Sequence, residues 1–288
     1  MNPEDIHTFF KKGIKSENDS DNRKREKILE SLDSISDTIL KDSIHGERWQ
    51  LLQQKWRKMI TTLCAEPYER FTVTQKGGRG YNYDFVITYF KENKEICTKQ
   101  IEFKYNGKSI YKLPQFLQIT ENCGFLPVSY AEFYYDNYLH KNCTILNMQI
   151  LDKEKYLKLV KGTEYTCDSF FVKLKEAENV PDLKKKISTH VWDSIKDFLQ
   201  KNGSGIDLSS VLDKLKAQEK KTFVLWNGLD FIVEKLEIGK TLTFKEIKNC
   251  NTIVLEDIEK KQRFGFLLRW KNHKGVLNPA WQICVRLF

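Results

Sequence analysis

Three residues stand at types and spacings that could do chemistry: Asp84, Glu102 and Lys104. Glu102 and Lys104 lie two apart in "TKQIEFKYN" (98–106). In a strand the side-chain period is two, so both point the same way, with Ile101, Phe103 and Tyr105 on the opposite face. Asp84 opens "DFVITYF" just after the turn "GGRGYNY", and an antiparallel hairpin would lay it beside the strand bearing Glu102. Two carboxylates on rigid strands make a hard-oxygen site of the kind Mg²⁺ prefers while it keeps several waters. Such an ion lowers the pKa of a bound water and stabilises charge developing on a scissile phosphate, and a neighbouring ammonium orients the nucleophile or a phosphoryl oxygen. That is the chemistry of phosphodiester hydrolysis. Asp84 is the most telling of the three, because a lone acid between "YNY" and "FVI" is costly to bury without a partner. An E-x-K triplet alone, in a chain that is 30% charged, reads more often as a solvated strand face.

The elements that must position these residues follow from the hydrophobic period. Ile28, Leu32, Ile35 and Ile39 recur at helical spacing from about Glu26 to Leu40, and Leu52, Trp56, Met59, Ile60 and Leu63 form a stripe that should face a core. The period then switches to two. "FTVTQ" (71–75), "YNYDFVITYF" (81–90) and "TKQIEFKY" (98–105) are three expected strands of an antiparallel meander, joined by "KGGRG" and "KENKE". "LPQFLQITENCG" is expected as a short helix starting near Pro114 and stopping by Gly124. Between 125 and 200 the order of elements is not resolved beyond a helical pattern at Val191, Ile195 and Leu199. "KNGSGIDLSS" (201–210) is the best internal boundary, with Asp207 placed to cap the helix "LSSVLDKLKAQEKK". Beyond it, "KTLTFKEI", "NTIVLED", "RFGFLLRWKN" and "AWQICVRL" read as strands.

By its helix, its Gly-rich hairpin and the spacing D84-x17-E102-F-K104, the region from about Gly46 to Gly124 resembles the PD-(D/E)xK nuclease superfamily, the restriction-endonuclease-like fold. The expected fold class is therefore α/β: a mixed sheet flanked by helices, with a β-rich C-terminal domain. The resemblance implies that Asp84 and Glu102 bind a divalent metal, Mg²⁺ or alternatively Mn²⁺, with the backbone carbonyl of Phe103 as a further ligand and Lys104 as the catalytic lysine. Gln115 resembles a Gln that some branches use to support the site. Tyr83 stands where many members carry proline. For the acidic residue that members often place on the preceding helix, Glu47 comes first by sequence order, but it lies off the apolar stripe and reads as a first-turn Glu that suits the helix dipole. Glu69 is the weaker alternative and His45 reads as a helix-start residue. Because many members cut both strands as dimers, a homodimer is also implied.

The expected domains are a flexible segment over 1–25, a nuclease core over 26–200 and an accessory domain over 207–288, on a prior of roughly 100 to 200 residues per domain for 288 residues. A net charge of +9 favours a polyanionic partner, DNA first, over an acidic surface. Arg79, Lys108 and Lys112 would lie near the metal edge and meet phosphates. Arg263, Arg269 and Lys271 interleave with aromatics in "EKKQRFGFLLRWKNHKG", a pattern shared by nucleic-acid surfaces and by half-buried strands. "IHTFFKK", with Ile6, Phe9 and Phe10, is similar to the peptide box that docks on a sliding clamp, although Pro3 replaces its usual Gln; packing of the segment back on the domain is the competing reading. The seven cysteines form no C-x-x-C pair, which argues against zinc and for reduced thiols. No secretory h-region or membrane span is evident, so an intracellular site is expected, nucleus or cytoplasm. The predicted reaction is metal-dependent endonucleolytic cleavage of DNA. A non-catalytic nucleic-acid-binding or scaffold protein and an RNA endonuclease are the alternatives.

Overall fold

The computed structural model describes residues 1–11, 18–76, 81–120, 124–161, 172–173, 176–177, 179–273 and 276–287. The chain forms two compact units, and neither is continuous in sequence. The first joins Met1–Lys112 to Lys216–Glu237, and the second joins Leu113–Leu215 to Ile238–Phe288.

The first unit is built from helices α1 (Asp5–Phe10), α2 (Asn18–Ser31), α3 (Asp37–Leu40) and α4 (Gly46–Leu63), and strands β1 (Arg70–Gln75), β2 (Phe85–Lys91), β3 (Lys94–Tyr105), β5 (Lys221–Trp226) and β6 (Phe231–Glu234). Its sheet runs β1-β2-β3-β5-β6, with every pair antiparallel except β3 and β5, which are parallel. The α4 stripe buries Trp49, Leu52, Trp56, Met59 and Ile60 in one core with Phe85, Ile87 and Tyr89 of β2, Ile101 and Phe103 of β3, and Val224 and Trp226 of β5. The expected period-two strands are present. The β2–β3 connection turns on Glu92 and Asn93, whose φ of 51° and 61° match the paired positive dihedrals of a tight hairpin.

Three expectations about the first 40 residues change. The helix expected from Glu26 begins at Asn18 and ends at Ser31, and a short 3₁₀ turn, Leu32–Ser34, follows before α3. Its polar start is held because Arg25 is buried, donating to Lys11 O (2.6 Å) and Asn22 Oδ1 (2.9 Å) with its guanidinium 3.6 Å from the Tyr105 ring centroid. Ile6 and Phe9 are core residues rather than an exposed docking peptide: both are fully buried, and the Phe9 ring meets Phe10, Tyr105 and Trp226 edge-on. Trp49 Nε1 donates to Pro3 O at 2.7 Å and fixes the start of α1 to α4.

The second unit carries the antiparallel sheet β4-β10-β9-β8-β7, formed by β4 (Leu117–Thr120), β7 (Leu242–Lys248), β8 (Thr252–Asp257), β9 (Gln262–His273) and β10 (Val276–Leu287). The last four are the strands expected from sequence. Its helices are α5 (Tyr130–Tyr134), continued through a π-helical turn into α6 (His140–Ile145), then α7 (Lys153–Lys161), α8 (Pro181–Asn202) and α9 (Leu208–Lys216). The helix expected at 114–124 is instead β4, paired with Ala280–Ile283 of β10. Pairing of the backbone with β10 overrides the Pro and Gly end signals. Asp207 caps α9, accepting from the backbone N–H of Ser209 (3.0 Å) and Ser210 (3.2 Å).

The Gly- and Ser-containing stretch at 201–210 is not an open linker. A Cβ on Gly203 would stand 3.0 Å from the tip of the Ile247 side chain, so the segment packs closely against β7. The chain returns to the first unit beyond it because "KTFVLW", buried at all six positions, supplies the parallel partner of β3. Residues 216–237 thus leave the expected C-terminal domain. Among the described residues no helix is long and apolar enough to cross a membrane.

Candidate active site

Glu102 and Lys104 share the half-buried side of β3, and Phe103 (6% exposed) and Ile101 turn into the core between them. Asp84 reaches the same place from the end of β2. Its N–H donates to Ile101 O at 2.8 Å, continuing the β2–β3 ladder by one residue. Its side chain then crosses to β3, where Oδ2 accepts from the Phe103 N–H at 2.8 Å. The N–H and C=O of one strand residue project to the same side, so the Phe103 carbonyl also faces the side on which Asp84 stands. The three residues singled out from sequence are brought together, with the backbone group between them.

Glu102 is held at both oxygens. Lys104 Nζ lies 2.5 Å from Oε1, and Lys221 Nζ lies 3.1 Å from Oε2. Lys221 opens β5 opposite Gln100. In a parallel pair, side chains in register share a face, which places Lys221 on the Glu102 side. Its side chain is 1% exposed. Sequence reasoning placed this lysine at the end of a helix; the signal available was the run "KTFVLW", a short apolar strand pattern behind a charged residue.

A fifth ionisable group comes from α2. Glu26 Oε2 accepts from Gln75 Nε2 at 2.8 Å, and Glu30 Oε1 accepts from the Gln75 N–H at 2.8 Å, tying α2 to the end of β1. The Glu26 charge acts on Lys104 and Asp84. Glu26, and not Glu47 or Glu69, is the helical carboxylate whose charge reaches Asp84 and Lys104. Glu47 sits in the first turn of α4, as its dipole-favouring reading expected. Glu69 accepts from the Glu92 N–H at 3.0 Å, at the far end of the β1–β2 ladder. His45 packs edge-on against His7, with ring centroids 4.6 Å apart.

The electrostatics follow from crowding three half-buried acids beside the half-buried Lys104 and the buried Lys221. Burial, and then the Glu102 charge, push the Asp84 carboxyl up to about 7, against the pull of Lys104 and the Phe103 N–H. Burial likewise raises Glu26. Burial pulls the Lys104 ammonium down, but Glu102 and Asp84 more than offset it and the net shift is upward. At Lys221 burial prevails over Glu102 and the pKa falls.

The other sequence candidates lie elsewhere. Gln115 belongs to the second unit, just before β4, and no helix begins there. Lys108 and Lys112 are exposed in the segment after β3, which Glu234 Oε2 holds by accepting from the Ile110 N–H at 2.7 Å. Arg263 is half-buried on β9 with Nη2 3.7 Å from Glu256 Oε1, and Arg269 is exposed on the same strand. Lys271 falls on β9 with its side chain outside the described set, and Arg79 lies outside the described residues.

Among the described residues no three His, Cys, Asp or Glu side chains group closely enough to hold a metal by side chains alone. A donor set of Asp84, Glu102 and the Phe103 carbonyl is nonetheless all hard oxygen and fits a cation that completes its shell with water. The raised Asp84 carboxyl accords with such a set, because two half-buried carboxylates on adjacent strands share the positive charge of Lys104 and Lys221. No protein-family model, curated protein or solved structure matches the chain.

Proposed function

We propose that the chain is a Mg²⁺-dependent nuclease of restriction-endonuclease-like architecture that hydrolyses phosphodiester bonds in DNA. The observation that carries this reading is the convergence of the Asp84 carboxylate, the Phe103 backbone and the Glu102–Lys104 pair at one end of β2 and β3. Asp84, Glu102 and the Phe103 carbonyl would hold the ion, with Mn²⁺ as the alternative, and the bound ion would supply a lowered pKa for water and neutralisation of phosphate charge.

The protein groups around it have separable tasks. Lys104 keeps its proton at neutral pH, because Glu102 and Asp84 raise its pKa. It therefore acts as a hydrogen-bond donor and positive charge toward the attacking water or a phosphoryl oxygen, not as the base. Asp84, near 7, accepts a proton reversibly in the physiological range and becomes a full carboxylate when a cation arrives. Lys221 holds Oε2 and thereby the rotamer of Glu102. Glu26 adds negative charge behind the site and draws cations toward it.

One observation favours a second reading. Both oxygens of Glu102 are already ion-paired, as they would be in a nucleic-acid-binding protein that keeps the fold without turnover. The deciding experiment incubates the purified protein with supercoiled plasmid and single-stranded DNA in Mg²⁺, Mn²⁺ or EDTA, beside Lys104→Ala and Asp84→Asn. Cleavage that needs the metal and is lost in both variants supports the nuclease. DNA retained but uncut by wild type and variants alike overturns it in favour of the binding protein.

A further inference from the structure

The loop leading into Asp84 carries two tyrosines that the proposed chemistry does not use. Tyr81 is 48% exposed, and its ring centroid lies 5.5 Å from that of the half-buried Tyr83, the planes tilted by 54°. Lys76 Nζ stands 5.5 Å from the Tyr81 ring centroid, within reach of a cation–π contact. Lys76 is itself fixed beside the acid, because its N–H donates to Asp84 O at 2.8 Å and so extends the β1–β2 ladder to the pair Lys76 and Asp84. Three Cα–Cα steps separate Tyr81 from Asp84, which limits their Cα atoms to at most about 11 Å apart. An exposed aromatic ring, a second ring against it and an ammonium are thus held at the mouth of the site by both strands that bear on Asp84.

In a duplex the faces of the bases are covered by their neighbours, and proteins meet phosphates and groove edges instead. Aromatic rings bind strands whose bases are unpaired, by stacking on the exposed base face, and the contact tolerates any sequence because every base has one. The paired cation suits the phosphate that follows the stacked base.

We propose that Lys76, Tyr81 and Tyr83 form a stacking platform that makes single-stranded DNA the substrate presented to Asp84, Glu102 and Lys104. This deepens the nuclease reading and rests on it for the cleavage, but not for the binding.

The test measures both separately. Binding is read by fluorescence anisotropy of a labelled oligothymidine and a labelled duplex of equal length in EDTA, with wild type, Tyr81→Ala, Tyr81→Phe and Lys76→Met. Cleavage of the same oligonucleotides is read in Mg²⁺, and thermal melting confirms that the exposed substitutions leave the fold intact. Loss of one stacking ring weakens single-strand binding about 5- to 150-fold, the equivalent of about 1–3 kcal/mol. Tyr81→Ala is expected in that range with duplex binding within about twofold, Tyr81→Phe is expected to retain wild-type binding, and Lys76→Met is expected to weaken binding and its salt dependence. If wild type cleaves nothing but binds single strands in this Tyr81-dependent way, the platform stands and the nuclease reading fails. If wild type cleaves in Mg²⁺ and Tyr81→Ala binds and cuts single strands as well as wild type does, the platform is overturned and the nuclease reading stands.

Discussion

The ammonium of Lys221 lies 3.1 Å from Oε2 of Glu102 although 119 residues separate them in sequence. The side chain that holds the central carboxylate of the site therefore comes from the strand that the chain adds last to β3. Removing it would strand one oxygen of a carboxylate that is 12% exposed. Lys221→Met is expected to destabilise the metal-free protein by about 1–3 kcal/mol, the usual cost of leaving one buried acceptor unpaired, because Lys104 still compensates the Glu102 charge. Urea denaturation in EDTA measures this, and an unchanged midpoint would refute the role given to Lys221.

The raised Asp84 carboxyl links folding to pH. Its pKa is about 7 in the fold against 3.8 as the ordinary value, so the protonated acid is favoured by folding. The associated stability is fully present below about pH 4 and is lost as pH climbs to 7. In EDTA, thermal melting should show a contribution that declines between pH 4 and 7, and Asp84→Asn should remove it and be the more stable protein at pH 8. A profile in that window identical for wild type and Asp84→Asn would contradict the assignment.

Divalent binding should carry the opposite slope. A cation needs the ionised acid, so Mg²⁺ affinity is expected to rise up to about tenfold per pH unit below 7 and to level off above it. Isothermal titration at pH 5.5, 6.5 and 7.5 checks this directly, and affinity independent of pH would separate metal binding from Asp84.

Lys104 is expected to matter for turnover and little for binding. Loss of one donor to developing charge typically lowers kcat about 10²–10³-fold, so Lys104→Ala should fall in that range while retaining DNA in EDTA within about threefold. Gel-based cleavage kinetics alongside anisotropy tests the split; equal losses in both would make Lys104 a binding residue.

Glu26 raises the Asp84 carboxyl through space. Glu26→Gln should shift the Asp84 transition in the melting profile to lower pH and weaken Mg²⁺ binding. A transition that stays in place would leave Glu26 a structural partner of Gln75.

Local pattern accounts for much of this site. The period-two run around Glu102 and the isolated Asp84 located the acids, and the Trp56 stripe located the helix behind them, because side-chain period is a property of neighbouring residues. What local pattern does not carry is pairing between distant segments. "KTFVLW" looks like a short apolar run in any context, and only its parallel register with β3 makes Lys221 a neighbour of Glu102. Glu26 was hidden for a related reason: it lies on a helix of mixed charge whose Asn18 start depends on burying Arg25 against Tyr105. At Pro114–Gly124 the end signals for a helix were real, but β10 offered a better partner for the backbone.

The discontinuity of the first unit also sets an order of events during synthesis. Asp84, Glu102 and Lys104 leave the ribosome early, and the strand bearing Lys221 emerges 119 residues after Glu102. At about 5–20 residues per second that is a wait of about 6 to 24 s, during which the nascent chain carries Glu102 without the lysine that pairs with its Oε2. The Glu102–Lys221 pair forms only after residue 221 has been made, so a chain terminated before that point would lack it.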